Sequence, residues 1–331
     1  MADTPEPPDI EETLLGGPLR YTRKEVAERS GISDENARRI WQALGFPAPP
    51  DDEVAFTDGD VAALREIKGL LGHALVDEEM VLRLSRAVGQ TMGRLASWLG
   101  DVWLQTFSDQ LPPDEPLNTE AVIAALQATE ELRPAFERLL MHGWRRQLSA
   151  AGMRAAASTA TATADPAAGV ARLAAGFADI VSFTRMSRQM EGKELADFVE
   201  RFETTVTGIV AEEGGRVVKT LGDEVMFVAE EPAAAAEIGL RVAEFSEQDS
   251  DFPRVRVGLA YGEVIFRLGD VFGTPVNLAA RLTSVAHPGT VLSDTGLASA
   301  LPPAAYDVSS LRPRTLQGLG KVRIRVLRRH T

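Results

Sequence analysis

Two aspartates in the second half of the chain have surroundings that suit a metal site. Asp179 lies in the apolar run Ala171–Phe183, and Asp223 lies in the turn Leu221–Glu224 between two short strand-like segments. A buried acid costs free energy unless it is paired or metal-bound, whereas Gly-Asp is also ordinary turn chemistry. If the strand lies beside the turn, the two carboxylates converge. Paired carboxylates and phosphates hold Mg²⁺ in proteins, and two such ions can stabilise a displacement at phosphorus.

A polar pair follows in the segment Gly269–Leu282. Asn277 and Arg281 are four residues apart in a predicted helix over Thr274–Ala286, so their side chains share one face. An exposed polar pair at this spacing is usually a solvated helix face. A guanidinium is nonetheless the cation best suited to a transferring phosphoryl group. Taken alone, the pair therefore has both a structural and a chemical interpretation.

The elements that carry these residues alternate between strand and helix after residue 170. The period of the apolar residues predicts helices over 191–212, 232–245 and 274–286. It predicts strands over 171–183, 216–219, 225–229, 255–260, 263–268, 289–292 and 322–328. The short connections between neighbouring strands make two antiparallel hairpins. This pattern favours an α+β domain with helices on one face of a mainly antiparallel sheet.

Three motifs in this half together resemble the catalytic domain of class III adenylate cyclases, in the nucleotidyl cyclase family. The motifs are Phe177–Thr184, Lys219–Phe227 and Gly269–Leu282, and they occur in the family's order. The resemblance covers about residues 170–331. It implies a ferredoxin-like, palm-type fold and the conversion of ATP to 3′,5′-cyclic AMP and pyrophosphate by two-metal-ion catalysis.

The resemblance also implies which groups hold the metals and the triphosphate. Asp179, Asp223 and the backbone carbonyl of Ile180 would hold two ions per active site, either Mg²⁺ or Mn²⁺. The triphosphate would lie on backbone amides after Ile180 and on a lysine near the C-terminus. These phosphate-binding residues are Val181, Ser182, Phe183, Thr184 and Lys321. Unpaired amides where a strand end opens into a helix suit an anion.

Four further residues receive roles in binding the nucleoside and in catalysis. By resemblance, Lys219 donates to adenine N1, and Asp270 accepts from the exocyclic N6 amine. Guanine presents the reverse pattern of donor and acceptor, so the implied substrate is ATP. Asn277 would orient the ribose, and Arg281 would stabilise the transition state at the α-phosphate.

In this family the metal aspartates come from one catalytic domain, and the base-selecting and Asn/Arg pairs come from its partner. This chain carries both sets of residues and one such domain. The resemblance therefore implies a homodimer with two composite active sites, and an inactive monomer.

The first half has a different character. We predict disorder over residues 1–17, an all-α domain over 18–148 and an Ala/Thr/Ser-rich linker over 149–169. Residues 1–165 carry 27 acidic and 16 basic side chains, a net charge of −11. This half resembles the helical regulatory domains of some mycobacterial class III cyclases. The resemblance implies that it regulates the catalytic domain of the same chain, with the linker as a switch.

The start of this domain, Tyr21–Ser33, resembles a helix-turn-helix of the MerR type, and the basic side chains of Arg38 and Arg39 follow it. Such a module can contact DNA or serve only for packing. The acidic balance of the half favours packing, because non-specific affinity for DNA comes from neutralising phosphates. We therefore expect no nucleic acid partner.

Composition limits the remaining classes. The 331 residues carry a net charge of −13 and no cysteine, which excludes disulfides and thiol chemistry. No apolar run approaches the roughly 18–20 residues that span a bilayer, and the acidic, proline-rich start is not a secretory signal. We predict a cytoplasmic protein without membrane contact.

Two other functions stay open at this level. The first is a nucleotide-sensing DNA-binding regulator whose second half has no activity. The second is a diguanylate cyclase, whose related family carries Gly-Gly-Asp/Glu-Glu-Phe in the hairpin where this chain has Leu221–Val225.

Overall fold

The computed structural model describes residues 10–108, 119–160, 164–165, 170–249, 252–267 and 269–330. The chain divides into two compact units, Met1–Gln147 and Leu148–Thr331. Unit 1 is helical, and unit 2 is an α+β domain with a mostly antiparallel sheet, which confirms the predicted fold class. Within the described residues, no helix combines the length and the apolar character that a bilayer crossing requires.

Unit 1 begins with helices that have well-defined ends. Their bounds are α1 Ile10–Leu15, α2 Arg23–Ser30, α3 Asp34–Leu44, α4 Asp58–Leu71 and α5 Glu78–Ser108. Thr22 and Glu25 form a capping box that satisfies free amides at the start of α2. The predicted disorder over 1–17 is wrong for α1, whose first turn carries acids that favour the helix dipole. Residues 1–9 lie outside the described part of the chain.

The helix-turn-helix-like segment forms α2 and α3, which pack with α4 and α5 around a small apolar core. Trp41 on α3 is partly buried, and its ring centroid lies 4.8 Å from that of Phe56. Arg39 lies 3.7 Å from Glu78 at the start of α5. These contacts show how α3 packs within the unit, and the absence of a nucleic acid partner stays a prediction.

Gly89 lies where α5 crosses the end of α3. A Cβ at Gly89 would overlap the carbonyl oxygen of Leu44, whereas a Cβ at Gly93 on the same helix would meet nothing within 4 Å. We expect Gly89→Ala to lower the free energy of unfolding by about 2–3 kcal/mol. Gly93→Ala should raise it by up to about 1 kcal/mol, because alanine favours a helix.

All four tryptophans lie in unit 1, so tryptophan fluorescence during urea unfolding measures the stability of this unit. Equal unfolding midpoints for the Gly89→Ala and Gly93→Ala variants would contradict the close crossing of α3 and α5.

One long helix, α6, spans Thr119–Ala160. The sequence predicts instead two helices and a linker, over 119–130, 134–148 and 149–169. Pro134 lies inside α6, where it removes one backbone hydrogen bond without ending the helix. The alanines after residue 149 are strong helix formers, so the helix continues into the predicted linker. Of the rest of that linker, residues 161–163 and 166–169 lie outside the described residues.

Unit 2 is built on a nine-stranded sheet and a separate hairpin. The strands are β1 Ala164–Asp165, β2 Val170–Ile180, β3 Arg216–Thr220, β4 Glu224–Ala229, β5 Val255–Arg267, β6 Asp270–Phe272, β7 Val291–Ser293, β8 Tyr306–Ser310, β9 Arg314–Leu316, β10 Gly320–Val322 and β11 Arg325–Arg329. The sheet order is β3-β4-β2-β5-β7-β11-β8, with β1 on β2 and β6 on β5. Strands β5 and β7 are parallel, and β9 pairs with β10 alone.

Helices cover both faces of this sheet, rather than the one face predicted. They are α7 Phe183–Met186, α8 Gly192–Glu212, α9 Pro232–Gln248, α10 Thr274–Val285 and α11 Thr295–Ala300. Ala174 and Ala178 of β2 face the core under α8 and α9, whereas Leu173 and Phe177 face the core under α10. Because β2 is apolar on both sides, it requires cover on both.

A second correction concerns β5, which is one strand of 13 residues where the sequence predicts two. The glycine at position 262 suggests a turn, but it stands opposite Leu173 within a ladder that β2 continues to pair along its whole length. A Cβ at Gly262 would lie 2.9 Å from the ring of Pro275. The glycine therefore allows the start of α10 to approach the strand. The hairpin forms later, between β5 and β6.

Candidate active site

The two aspartates lie at the same end of the sheet. Asp179 is the penultimate residue of β2, and it stands opposite Glu224 on β4 and Arg256 on β5. Asp223 is in the turn before β4, and its carbonyl oxygen accepts a hydrogen bond of 2.9 Å from the amide of Ile180. This backbone contact holds the turn against the end of β2. The structure thus brings together the two residues that the resemblance assigns to metal binding.

Asp179 is almost fully buried, with 8% of its surface exposed, and it requires a partner. Arg256 supplies one, because its Nε lies 2.5 Å from the Asp179 Oδ2. Burial raises the pKa of the Asp179 carboxyl, and the hydrogen bond from Arg256 opposes that rise. Burial, with the charges of Asp179 and Asp223, raises the pKa of Glu224 to about 7. Three acids therefore share this end of the sheet with the half-buried guanidinium of Arg256.

The raised pKa of Glu224 makes stability depend on pH. Because the unfolded chain releases this proton near pH 4.5 and the folded chain near pH 7, stability falls as the pH rises through that window and is lowest above it. We expect Glu224→Gln to remove this loss, raising the free energy of unfolding at pH 8 by on the order of 2 kcal/mol. Urea unfolding in EDTA at pH 4 and pH 8 measures the difference. A wild-type protein as stable at pH 8 as at pH 4 would contradict it.

The chemistry of the aspartate pair fits a divalent cation. Mg²⁺ and Mn²⁺ prefer oxygen ligands, and Mg²⁺ is commonly held by one or two carboxylates, with waters and substrate phosphates as the other ligands. Asp179 and Asp223 supply two carboxylates here. No group of three or more histidine, aspartate or glutamate side chains is placed to hold a metal ion in the described ranges. The site therefore suits a cation that is completed by water or phosphate oxygens.

The predicted phosphate-binding loop follows β2. Ser182 has a left-handed backbone with φ 62°, an unusual conformation for a residue other than glycine. It is the N-cap residue of α7. The amides of Phe183 and Thr184 belong to the first turn of α7, where a helix has no internal acceptor for them. The amide of Val181 differs from expectation, because it donates to the Arg254 carbonyl at 2.8 Å. The open amides thus begin at Ser182.

Lys321, the other predicted phosphate ligand, lies on β10. It is exposed and stands opposite Thr315 in the separate β9–β10 hairpin. The structure does not bring it into contact with the aspartate pair, so its role stays a prediction.

The predicted base-selecting pair is in direct contact. The Nζ of Lys219 on β3 lies 2.6 Å from the Oδ2 of Asp270 on β6, and both side chains are about one-third exposed. The other Asp270 oxygen accepts from the Val271 amide at 2.8 Å. The two residues are 51 positions apart in sequence, so only the fold makes them neighbours. A donor and an acceptor side by side can hydrogen-bond two adjacent atoms of a planar base.

Asn277 and Arg281 lie on the outer face of α10, and both are exposed. The opposite face of α10 buries Ala279 and Leu282 against the sheet. The pair is thus available to a group outside the unit that carries it.

Sequence reasoning missed Arg256 and Glu224. The signal for Arg256 was present, because it stands between Val255 and Val257 on an apolar strand, where a charge requires a partner. Asp179 has the same property with the opposite charge. Pairing these two opposite charges across neighbouring strands would have predicted their contact.

Comparison with known proteins decides the family. Residues 168–328 match the model of the adenylate and guanylate cyclase catalytic domain. The chain is 44% identical over 292 residues to an adenylate cyclase of Streptomyces coelicolor, covering 88% of this chain and 74% of that protein. The chain belongs to the class III nucleotidyl cyclase family. The predicted family is therefore confirmed.

Other members resemble this cyclase in different ways. An adenylate cyclase of Glutamicibacter nicotianae is 39% identical over 302 residues, covering 88% of this chain and 74% of that protein. The crystal structure of the adenylyl cyclase CyaB from P. aeruginosa is 22% identical, with a TM-score of 0.44, and the match covers 49% of this chain and 96% of that chain. Because the 292 residues aligned with the Streptomyces cyclase outnumber those of unit 2, the similarity of this cyclase to its relatives includes unit 1.

Proposed function

We propose that this cyclase converts ATP to 3′,5′-cyclic AMP and pyrophosphate. The observation that carries the choice of ATP is the contact between Lys219 and Asp270. An ammonium beside a carboxylate offers a donor for adenine N1 and an acceptor for the N6 amine. Guanine offers a protonated N1 and an O6 acceptor. The Lys219 donor would then face another donor, and the Asp270 acceptor would face another acceptor. The adenylate cyclases of Streptomyces coelicolor and Glutamicibacter nicotianae support this substrate.

The reaction in this proposal is attack of the ribose 3′-oxygen on the α-phosphorus, with pyrophosphate as leaving group. Two Mg²⁺ or Mn²⁺ ions held by Asp179, Asp223 and the Ile180 carbonyl would supply charge stabilisation for the attacking and leaving oxygens. Asn277 orients the ribose, and Arg281 stabilises the negative charge that develops on the α-phosphate. The chain's own contribution is therefore positioning and electrostatics.

A second copy of the chain completes the site in this proposal. Asn277 and Arg281 lie on the outer face of α10, whereas Asp179 is buried at the end of β2. In a two-fold homodimer, the aspartates of one subunit face the α10 pair and the Lys219–Asp270 pair of the other. Two composite sites result, and a monomer is inactive.

Unit 1 regulates unit 2 of the same chain in this proposal. The similarity to cyclase relatives extends across both units, which supports a shared role for unit 1. Assays of the full chain and of a chain that starts near Ala167 should differ in turnover. Identical turnover and identical pH profiles would overturn regulation by unit 1.

Purified full-length protein tests the proposed activity. We expect cyclic AMP from ATP in the presence of Mg²⁺ or Mn²⁺, and at least tenfold less product from GTP. Lys219→Ala should lower the ATP-to-GTP ratio of kcat/KM by at least about tenfold, because it removes the donor to N1. Product from GTP alone, or a diguanylate product, would overturn the assignment.

A further inference from the structure

Arg256 touches two parts of the proposed machinery at once. Its Nε donates to Asp179, and its Nη1 donates to the backbone carbonyl of Ser284 at 3.2 Å. Ser284 lies at the C-terminal end of α10, the helix that carries Asn277 and Arg281. One guanidinium therefore joins the aspartate of one half-site to the helix of the other half-site on the same subunit.

Both contacts of Arg256 are favourable for physical reasons. Asp179 is a buried carboxylate among other acids, and a guanidinium offsets its charge. The last carbonyls of a helix carry partial negative charge and lack internal donors, so a cation there stabilises the helix end. Arginine can make both contacts because its donors point in different directions, whereas lysine has a single nitrogen.

The rest of α10 is fitted tightly to the sheet. The Thr283 hydroxyl donates to the Ala279 carbonyl of its own helix at 2.9 Å and lies 3.3 Å from the Phe177 carbonyl of β2, and Gly258 lies directly beneath the helix backbone. Beyond this point the helix ends, and the Ala286 amide donates to Thr283 at 3.2 Å. The contact from Arg256 to Ser284 adds a polar tie between this last turn and β5, beside the burial of Leu282 and Thr283.

We propose that Arg256 is a positioning residue that links metal binding at Asp179 to the position of α10 on the sheet. Arg256 holds both Asp179 and the end of α10. If the Asp179 carboxylate held a divalent cation, it would no longer accept from Arg256, and the guanidinium would hold the last turn of α10 less firmly. The two half-sites of a subunit belong to different composite sites. Metal binding at one composite site therefore changes the position of α10 in the other. This inference rests on the proposed metal site.

Hydrogen exchange of the full chain tests the link without measuring activity. We expect Mn²⁺ alone, at millimolar concentration, to raise the exchange rate of a peptide covering residues 278–286 by at least about threefold. Asp179→Asn should raise the same rate without Mn²⁺. In Arg256→Gln and Arg256→Lys the rate should be high with or without Mn²⁺.

Controls separate this effect from a general loosening. The peptide of α9, on the other face of the sheet, should not respond to Mn²⁺. Arg172 lies on the neighbouring strand β2, and its guanidinium lies 5.0 Å from the ring centroid of Tyr261. The Arg172→Gln variant should keep the response of α10 to Mn²⁺. A normal response in Arg256→Lys would show that charge alone suffices and would overturn the two-point link.

Binding of Mn²⁺, followed by electron paramagnetic resonance of the free ion, distinguishes two kinds of failure. Binding that depends on Asp179, with no change in α10, overturns the role of Arg256 and leaves the proposed function standing. No binding by wild type overturns the metal site and this inference with it. If Arg256→Gln fails to fold, the wild-type and Asp179→Asn measurements still decide.

Discussion

Mixing Asp179→Ala chains with Arg281→Ala chains should restore the cyclic AMP synthesis that we expect each variant to lack alone. Each single variant should retain less than about 1% of wild-type turnover, because in the proposed mechanism Asp179 holds the metal and Arg281 stabilises the transition state. In a mixed dimer the Arg281→Ala subunit supplies the intact aspartates, and the Asp179→Ala subunit supplies the intact arginine. Random pairing of equal amounts gives half mixed dimers with one working site each, or about a quarter of wild-type activity.

A matched pair of variants controls this experiment. Asp179→Ala mixed with Asp223→Ala should stay inactive, because both residues belong to the same half-site and every composite site in the mixed dimer lacks one aspartate. Cyclic AMP formation after co-expression of each pair measures the outcome. A silent first mixture beside an active wild type would refute the shared site.

Gly258→Ala should displace α10 from the sheet and so lower both stability and turnover. A Cβ at Gly258 would overlap the Thr283 amide and the Ala279 carbonyl, which are backbone atoms of α10. The helix must move away from β5, and Asn277 and Arg281 move with it. We expect the free energy of unfolding to fall by about 3 kcal/mol and turnover to fall by about 100-fold, since small displacements of catalytic groups cost that much.

Gly208→Ala is the control for this substitution. Gly208 lies in α8, and a Cβ there meets nothing within 4 Å. The same change should raise stability by up to about 1 kcal/mol through helix propensity and leave turnover unchanged. Urea unfolding and the cyclase assay compare the two variants. Wild-type turnover in Gly258→Ala would show that the position of α10 does not limit the reaction.

Local patterns predicted most helices of unit 2 because their signals lie within a few turns. The apolar period and Pro232 at the start of α9 set bounds close to those observed, and the same holds for α8 and α10. The sequence predicted two strands in place of β5 because Gly262 allows two structural interpretations. It permits a turn, or it permits close approach by another backbone, and only the packing partner Pro275 distinguishes them.

Amino-acid types and motif order predicted the family of this protein, which comparison confirmed, the α+β class of its second unit and most residues of its proposed site. The tertiary structure decided which of these residues touch. Lys219 and Asp270 lie 51 positions apart, and Asp179 and Arg256 lie 77 positions apart, so the fold makes both pairs neighbours. The tertiary structure also decided that helices cover both faces of the sheet. Contacts between distant segments depend on strand order and register, which the whole core selects together.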